Sequence, residues 1–242
     1  MFQGYLTAIL GGLGWTLGVA TVSLALSCVF GLLGTLGKLS ASRLAIGLVI
    51  GLAGVYTTAL RGVPKLVLVL MLGLFYGGQI LLNDLADARG WGPFDLPPFL
   101  AGTLTLGFIF GAYLTETFRG AILAVPRGQT DAAAACGFSR AQALRRILLP
   151  QMVRHAIPRF ANNGLVMLKA TALVSINGLD DLVHRANMAA SATREPLTFF
   201  VLTAAVYLAI TTASASASVS VSVLALSWLE KRYSLGVKAL RL

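Results

Sequence analysis

The segment 131–150, DAAAACGFSRAQALRRILLP, is the most informative stretch of the chain. Its alanine run strongly favours a helix, Gly137 lets the backbone bend, and a second helical pattern with three arginines follows. Pro150 is expected to end that second helix, because proline lacks the amide hydrogen that a helix interior needs. The segment is polar and lies between long apolar stretches. It therefore marks both the fold class and the place where a soluble partner would bind.

The composition of the chain is typical of membrane proteins. Of its 242 residues, 57% are hydrophobic and only 12% are charged, with a mean hydropathy of +0.80. Soluble domains have about 25% charged residues, and several windows here exceed the roughly 18–20 apolar residues that cross a bilayer. Closed β-barrels need short alternating segments, and these are mostly missing. We therefore predict an all-α, integral membrane protein with one domain.

Five membrane spans are predicted from the apolar stretches. They cover residues 9–36, 66–83, 98–118, 164–179 and 197–229. The stretch 44–60 is also apolar, but it runs into Arg61-Gly62-Val63-Pro64-Lys65, and a proline with two cations is costly in mid-membrane. We therefore expect 44–60 to be a helix at or near the membrane surface. Residues 83–98, with their charges, glycines and prolines, should form a solvated loop, and residues 119–163 should form the long polar loop.

The distribution of basic residues predicts the orientation. If the long polar loop is cytoplasmic, only Arg89, Arg185 and Arg194 of the nineteen lysines and arginines lie on the outer side. This is the positive-inside pattern, and it puts the N-terminus in the periplasm and the C-terminus in the cytoplasm. Counting 44–60 as a sixth span would weaken the pattern. The net charge of +10 is thus a topology signal, and the dispersed basic residues do not indicate a nucleic-acid partner.

No catalytic, metal or cofactor site is expected in this chain. Cys28 and Cys136 have neither disulfide nor metal-ligand spacing and are interpreted as small apolar fillers. His155 and His184 lie in different loops, without a paired nucleophile. The first apolar run is not preceded by a basic region, so the first span is expected to remain in the mature protein. The phosphate-binding pattern Gly-x4-Gly-Lys-Ser/Thr is absent from the sequence, so ATP should bind to another subunit.

The polar loop is predicted to contain two short helices. Gln129 to Asp131 should open the first helix, with Asp131 in the first turn, where its charge suits the helix dipole. Ser139 can cap the second helix. In that helix the apolar face comprises Ala141, Leu144 and Leu148, and the polar face comprises Gln142, Arg145 and Arg146. The two predicted helices meet at Gly137 in a bend that we call the glycine elbow. One face of this elbow has side chains small enough to dock closely on a partner, and another face is cationic.

These features resemble the EAA signature of the permease subunits of bacterial ABC importers. The matching residues are Asp131-Ala132-Ala133, Gly137 and Ile147-x-Leu149-Pro150, with Asp131 where the family usually has glutamate. The wider sequence is similar to polar amino-acid permeases, in the group of Q-type histidine/lysine-arginine-ornithine and octopine or nopaline permeases. The motifs that carry this similarity are 60–64 (LRGVP), 111–120 (GAYLTETFRG), 125–128 (VPRG), 162–163 (NN) and 168–175 (LKATALVS). The similarity loosens over 213–223.

The resemblance implies a type I ABC importer transmembrane domain with five transmembrane helices over residues 9–230, followed by a cytoplasmic tail over 231–242. It implies cytoplasmic coupling helices over 129–150 that rest in a groove of an ATPase. The implied coupling residues are Asp131, Ala132, Ala133, Gly137, Arg140, Arg145, Arg146, Ile147, Leu149 and Pro150. The implied partners are a homologous second permease, two copies of a cytoplasmic ATPase that bind ATP and magnesium, a periplasmic substrate-binding protein, an amino acid and the lipids of the bacterial inner membrane.

The candidates for the substrate path are Glu116, Asn163, Lys169, Thr171 and Ser175. For Glu116 we favour a local pair with Arg119, three residues further on, over a substrate contact. Related permeases often have an acidic residue after the lysine of the 168–175 motif, whereas this chain has Ala170. We therefore expect selectivity for the substrate, a basic amino acid, to reside mainly in the binding protein and in the partner permease.

Two further features of the sequence and one alternative function are considered. Asp180 and Asp181 are interpreted as solvated loop acids that could face an incoming cationic substrate. The serines between 214 and 222 alternate as in a strand, but a single apolar span must be helical to satisfy its backbone, so these serines should bond back within a helix. The alternative function is a secondary transporter or a channel subunit that works without an ATPase. Internal repeats and broken helices are typical of secondary transporters, and we find neither in the sequence.

Overall fold

The computed structural model describes residues 2–39, 46–72, 78–91 and 96–238. Every regular element within these ranges is helical, which confirms the all-α prediction. The α-helices are α1 (Phe2–Gly11), α2 (Leu13–Leu39), α3 (Ile46–Gly62), α4 (Lys65–Leu72), α5 (Gly78–Asp87), α6 (Pro98–Leu123), α7 (Arg127–Ala135), α8 (Arg140–Ala143), α9 (Leu149–Ala170), α10 (Leu182–Thr193) and α11 (Pro196–Lys238). A π-helical segment, Leu144–Leu148, joins α8 to α9, and a 3₁₀ segment, Thr171–Asn177, follows α9.

Helices α2 and α6 form the central pair of the bundle, because small residues let their backbones approach closely. A Cβ atom at Gly34 would clash with the side chain of Thr115. The hydroxyl of Thr35 donates to the carbonyl oxygen of Thr115 at 3.0 Å, and the hydroxyl of Ser23 donates to that of Thr103 at 3.2 Å. Close packing and hydrogen bonds between helices replace the hydrophobic effect inside a bilayer, so this pair is a firm core for the other helices.

Two apolar clusters hold the remaining helices on this pair. The larger cluster joins α2, α3, α4, α6, α9 and the 3₁₀ segment, and its most buried members are Val19, Val69, Leu106, Ile109, Phe110, Met167 and Val174. The smaller cluster joins α1, α10 and α11 through Ile9, Leu182, Ala186, Ala189, Ala190 and Phe199. The chain therefore has one packed centre around α6 and a second one near the N-terminus.

Three helical stretches of the described residues are long and apolar enough to cross a membrane: Gly4–Lys38, Pro98–Leu123 and Pro196–Trp228. Helices α3 and α4 could together form a fourth, but they are bent by 115° where the sequence predicted an interruption. The predicted span 66–83 includes residues 73–77, which lie outside the described residues. The predicted span 164–179 is the end of α9 continued by the 3₁₀ segment. The count of five spans therefore stays a prediction.

The polar segment 119–163 contains the two predicted helices, but the helices on either side of them extend further into it than predicted. Helix α6 continues to Leu123 and α9 begins at Leu149. The reason is packing: Ala121 and Ala156 are buried in a third cluster that holds the two helices together beyond their apolar parts. Polar residues on the outer faces of these helices lowered the local hydropathy without breaking the helices. Likewise, α5 covers residues 83–87 of the region expected to be a solvated loop.

The serine-rich run is helical, as predicted. It lies within α11, and its hydroxyls bond back to the preceding turn: Ser216 donates to the carbonyl oxygen of Thr212 at 3.0 Å, Ser220 to that of Ser216 at 3.0 Å and Ser222 to that of Ser218 at 2.6 Å. These three hydroxyls are therefore satisfied within the helix, which lets a polar run remain in an apolar environment.

Candidate functional site

Helix α7, the first helix of the polar segment, begins at Arg127, two residues earlier than predicted. Pro126 is the N-cap residue, with φ of −59° and ψ of 135°, and its ring fixes the conformation that leads the chain into the helix. Asp131 consequently lies in the second turn of α7, and the prediction that its charge sits in the first turn was wrong. The residue is exposed, so its carboxylate is accessible at the surface.

The glycine elbow is confirmed at Gly137, which has a φ of +78°. The amide of Phe138 donates to the carbonyl oxygen of Ala133 at 3.0 Å, and the amide of Gly137 donates to that of Ala134 at 3.0 Å. This pair of bonds is the Schellman arrangement that ends many helices, and it needs a left-handed residue at the position of Gly137. A side chain there would strain the backbone, so the elbow depends on glycine.

The predicted cap at Ser139 is also confirmed. Its hydroxyl accepts from the amide of Gln142 at 3.3 Å, and the side-chain oxygen of Gln142 accepts from the amide of Ser139 at 2.9 Å. This reciprocal capping box satisfies amide groups that a helix start would otherwise leave unpaired. Both sides of the elbow are thus closed by hydrogen bonds, which makes it a stiff joint.

Pro150 does not end the second helix, so that prediction was wrong. The amide of Leu149 donates to the carbonyl oxygen of Leu144, five residues back, in the π-helical segment Leu144–Leu148. This wider turn leaves room for the ring of Pro150, which lies in the first turn of α9, where its missing amide hydrogen costs little. A single helical path therefore runs from Arg140 into the bundle as far as Ala170.

A groove of about 310 Å³ opens between the two helices of the elbow. Its lining comprises Thr130, Ala134, Phe138, Arg140, Ala143, Leu144 and Leu148. The apolar side chains of Phe138, Leu144 and Leu149 are exposed by 37%, 48% and 44%. Such apolar groups on a polar segment are typical of a protein-binding surface.

The predicted coupling residues differ in exposure. Asp131, Ala132, Gly137, Arg140, Arg145 and Arg146 are exposed, Ile147 and Pro150 are half-buried, and Ala133 is buried. The small side chain of Ala133 therefore supports the elbow from inside. The exposed residues form a surface that combines apolar groups with positive charge.

Glu116 lies in a polar cluster that joins three helices. Its Oε1 pairs with Nζ of Lys38 from the last turn of α2, and its Oε2 lies 3.5 Å from Nη1 of Arg119. The same ammonium of Lys38 donates to the hydroxyl of Thr57 in α3 at 2.6 Å. The predicted local pair of Glu116 and Arg119 is present, but Lys38 is the nearer partner.

The other candidates for the substrate path lie in separate surroundings. The amide group of Asn163 donates to the hydroxyl of Thr117 at 2.9 Å, which ties α9 to α6. Thr171 is buried and its hydroxyl lies 3.4 Å from that of Tyr207 in α11. Ser175 bonds back within the 3₁₀ segment, and Lys169 is exposed. These contacts are structural, and they do not assign a substrate role to any of the five.

Asp181 is fully buried, so its interpretation as a solvated acid was wrong. Its Oδ1 caps α10 by accepting from the amide of His184 at 2.8 Å, whereas its Oδ2 has no hydrogen-bond partner among the described residues. Burial raises the pKa of Asp181 to about 6. The cause of the burial is Gly12, between α1 and α2, because a Cβ there would lie only 2.6 Å from the backbone of Asp181.

Asp180, the neighbouring acid, is exposed as predicted. Its carboxylate pairs with Arg185 at 2.6 Å, and the hydrogen bond from this guanidinium lowers the pKa of Asp180. Nη1 of Arg185 also donates to the carbonyl oxygen of Ala8 at 2.8 Å. The arginine therefore ties α10 to the last turn of α1.

Sequence reasoning missed Lys38, Thr57 and Gly12 as members of these clusters. Lys38 offered a signal, since a lysine in the last turn of an apolar helix needs an acidic partner or water. Thr57 and Gly12 offered none, because their roles depend on contacts with distant segments. Among the described residues, no group of three or more histidine, cysteine or acidic side chains could hold a metal ion.

Comparison with known proteins is consistent with this geometry. The chain is 48% identical to the histidine/lysine/arginine/ornithine transport system permease protein HisQ of Escherichia coli (strain K12), over 98% of each chain. It is 37% identical to the octopine transport system permease protein OccQ of Rhizobium meliloti, over 88% of this chain and 87% of that protein. These similarities confirm the resemblance seen in the sequence.

A solved structure shares the fold. The crystal structure of an amino acid ABC transporter with histidines contains a chain that superposes with a TM-score of 0.77 at 29% identity, covering 91% of this chain and 95% of that one. Residues 34–234 match the family described as binding-protein-dependent transport system inner membrane components. The chain therefore belongs to this family of ABC importer permeases, and its fold is that of their type I transmembrane domain.

Proposed function

We propose that this permease subunit serves an ATP-driven importer of basic amino acids in the bacterial inner membrane. The relatives named above carry histidine, lysine, arginine, ornithine or octopine in their names, and the chain is 48% identical to one of them over 98% of its length. This close similarity is the observation that carries the substrate class. Histidine, lysine, arginine, ornithine and related opines are the compounds to test.

We also propose that residues 129–150 couple this chain to a cytoplasmic ATPase. The support is the shape of the elbow: two short helices, hydrogen-bonded closure on both sides of Gly137, and an exposed apolar groove next to Arg140. Closure of an ATPase dimer is a rigid-body movement, and a stiff helical joint can pass it on. Arg145 and Arg146 can pair with acidic groups on the rim of the ATPase.

The continuity of the helices supports the transmission of that movement. Helix α6 leads into α7 through only Ala124, Val125 and Pro126, and α8 continues through the π-helical segment into α9. The elbow is thus held at both ends by helices of the bundle. A displacement of the elbow would move α6 and α9 together, and these two helices are in direct contact through Asn163 and Thr117.

The proposed assembly contains a homologous second permease, two ATPase subunits and a periplasmic substrate-binding protein. ATP and magnesium would bind to the ATPase, because this sequence lacks the phosphate-binding pattern Gly-x4-Gly-Lys-Ser/Thr. The proposed topology has five spans, with a periplasmic N-terminus and a cytoplasmic C-terminus, and it is supported by the positive-inside distribution of charge. We propose that the binding protein and the partner permease set most of the selectivity.

The test is reconstitution of the complex in proteoliposomes, with uptake of labelled amino acids and ATP hydrolysis measured together. Gly137→Asp is expected to leave the chain inserted but to uncouple hydrolysis from uptake, because aspartate at a φ of +78° opens the elbow. Gly128→Asp is the matched control, since Gly128 is exposed, has open space around it and lies in the first turn of α7.

Three results would contradict these proposals separately. Normal coupled uptake by the Gly137→Asp complex would refute the coupling role of the elbow. An unchanged substrate preference after exchange of the binding protein would refute its role in selectivity. If the wild-type complex takes up none of the basic amino acids, the proposed substrate class is refuted.

A further inference from the structure

The end of α2 that carries Lys38 is fastened to two other helices by one polar cluster. Lys38 pairs with Glu116 of α6 and donates to Thr57 of α3 at 2.6 Å. The side chains of Lys38 and Glu116 are only 13% and 22% exposed. A charge in such a place is costly unless it is paired and hydrogen-bonded. The cluster satisfies this requirement with groups from three helices, which we call the Glu116 clamp (Lys38, Thr57, Glu116 and Arg119).

Both oxygens of Glu116 are engaged within the clamp. Oε1 accepts from Lys38, and Oε2 faces Arg119 at 3.5 Å. A substrate ammonium or guanidinium group would have to displace Lys38, and this would leave a half-buried cation without its carboxylate. The geometry therefore disfavours Glu116 as a substrate contact and favours a role within the protein.

The clamp adds α3 to the rigid pair formed by α2 and α6. The hydroxyl of Thr57 donates to the carbonyl oxygen of Ala53 at 3.0 Å, so its oxygen is oriented to accept from Lys38. On the other side, the hydroxyl of Thr35 donates to the carbonyl oxygen of Thr115, the residue before Glu116. Three helices are thus fixed to each other within one turn of Glu116.

The clamp lies close to the elbow along α6. Seven residues separate Glu116 from Leu123, the last residue of α6, which is about 10 Å of helix at 1.5 Å per residue. Only three residues then lead to α7. A force on the elbow therefore reaches the clamp through a short, rigid segment.

We propose that Glu116 is a positioning residue that makes α2, α3 and α6 move as one body when the ATPase displaces the elbow. The inference rests on the permease function and on the coupling role of the elbow. Without the clamp, α3 still contacts α6 through apolar packing and through the hydroxyl of Tyr56, which donates to the carbonyl oxygen of Phe108 at 2.6 Å. It loses its polar link to Lys38 and Glu116, and we expect ATP hydrolysis then to produce less than the full movement of the helices. This role concerns the yield of transport for each ATP, and it leaves recognition of the substrate unchanged.

The test compares Glu116→Gln, Lys38→Glu and the exchanged pair Lys38→Glu with Glu116→Lys in the reconstituted complex. We expect Glu116→Gln to lower uptake per ATP hydrolysed about tenfold while the KM for the loaded binding protein stays within about twofold. The exchanged pair restores the attraction between positions 38 and 116 but places a lysine beside Arg119, so it should recover part of the wild-type yield. Glu195→Gln, at an exposed carboxylate, is the control and should behave as wild type.

Three results would overturn the proposal. A raised KM with an unchanged yield for Glu116→Gln would identify a substrate contact. An exchanged pair that assembles with the ATPase but shows the low yield of the single variants would refute the pairing. A wild-type yield for Glu116→Gln would refute the clamp. If Glu116→Gln fails to assemble, Glu116→Asp tests the same point, because it keeps the charge and shortens its reach. Loss of uptake in the wild type would instead refute the proposed function.

Discussion

Glu116 and Asp181 lie near opposite ends of α2, and the protein accommodates their carboxyl groups in opposite ways. Glu116 remains partly exposed and has cations from α2 and from its own helix as partners. Asp181 is fully buried, and one of its oxygens has no hydrogen-bond partner among the described residues. Acidic groups near the two ends of one helix can therefore have opposite effects on stability, since the anion of Glu116 is stabilised by its cationic partners and the anion of Asp181 is destabilised by burial.

The difference arises from the backbone around each group. At Glu116 the polar side chains of Lys38 and Thr57, from α2 and α3, enter the cluster with the carboxylate. At Asp181 the backbone of Gly12 is in close contact with the backbone of Asp181 and Leu182. No side chain fits between them, so a counter-ion is excluded. Close backbone contact thus determines the electrostatics at this end of the bundle.

The largest expected effect comes from breaking the close contact at Gly12. Gly12→Val should lower the free energy of unfolding by about 3 kcal/mol or more, because its side chain would collide with the backbone of Asp181 and Leu182. Gly14→Val is the matched control, since Gly14 has open space around it. Thermal unfolding in detergent, followed by circular dichroism, measures both. Equal melting temperatures for the two variants would refute the contact.

The next effect concerns the charge of Asp181. Its carboxyl binds a proton more tightly in the folded chain, with a pKa of about 6, than at the ordinary value of 3.8. The contribution of Asp181 to stability should therefore be largest below about pH 4, fall as the pH rises to about 6 and stay low above that. A shift of this size corresponds to about 3 kcal/mol at most.

Asp181→Asn should remove this dependence, because asparagine can still cap α10 but does not ionise. We expect the variant to be more stable than the wild type at pH 7.5 by about 2 kcal/mol, less than the full shift because its buried amide also needs partners. Melting temperatures from pH 4 to pH 8 measure the effect. A wild-type curve that is flat, or one that rises with pH, would contradict the assignment.

The smallest expected effect on stability distinguishes the two cationic partners of Glu116, which are Lys38 and Arg119. Lys38→Met should destabilise the chain by about 2 kcal/mol, because it leaves a partly buried carboxylate without its nearer partner. Arg119→Met should cost about 0.5 kcal/mol or less, since Arg119 is 42% exposed and 3.5 Å away. The free energy of unfolding of both variants, measured under the same conditions, gives the ratio of the two losses of stability. A larger loss for Arg119→Met would mean that the partners are ranked wrongly.

These regions also show how far sequence reasoning can reach. The elbow was predictable in detail, because glycine, serine and glutamine signals act within a few residues of each other. Its family resemblance was predictable for the same reason. The errors at Asp131 and Pro150 are local as well: a helix start moved by two residues, and a π-helical turn accommodated a proline. No sequence rule anticipates that turn.

The clusters at the ends of α2 were only partly predictable. The pairing of Lys38 with Glu116 joins residues 78 positions apart, and the contact of Gly12 with Asp181 joins residues far from each other in the chain. A single sequence contains no record of such distances. The local pair of Glu116 and Arg119 could be predicted from their spacing. That Lys38 is the nearer partner of Glu116 could not, because it depends on how α2 packs against α6.

The π-helical segment Leu144–Leu148 determines how α8 is rotated about its axis relative to α9. Each residue of an α-helix advances the direction of the side chains by about 100°, and the wider turn holds one extra residue between α8 and α9. Deletion of a single residue from this segment would close the wider turn and bring the ring of Pro150 against the preceding turn. It would also rotate Arg140 and the groove by about 100° relative to the bundle. The direction in which the chain presents its cations is therefore determined by one inserted residue.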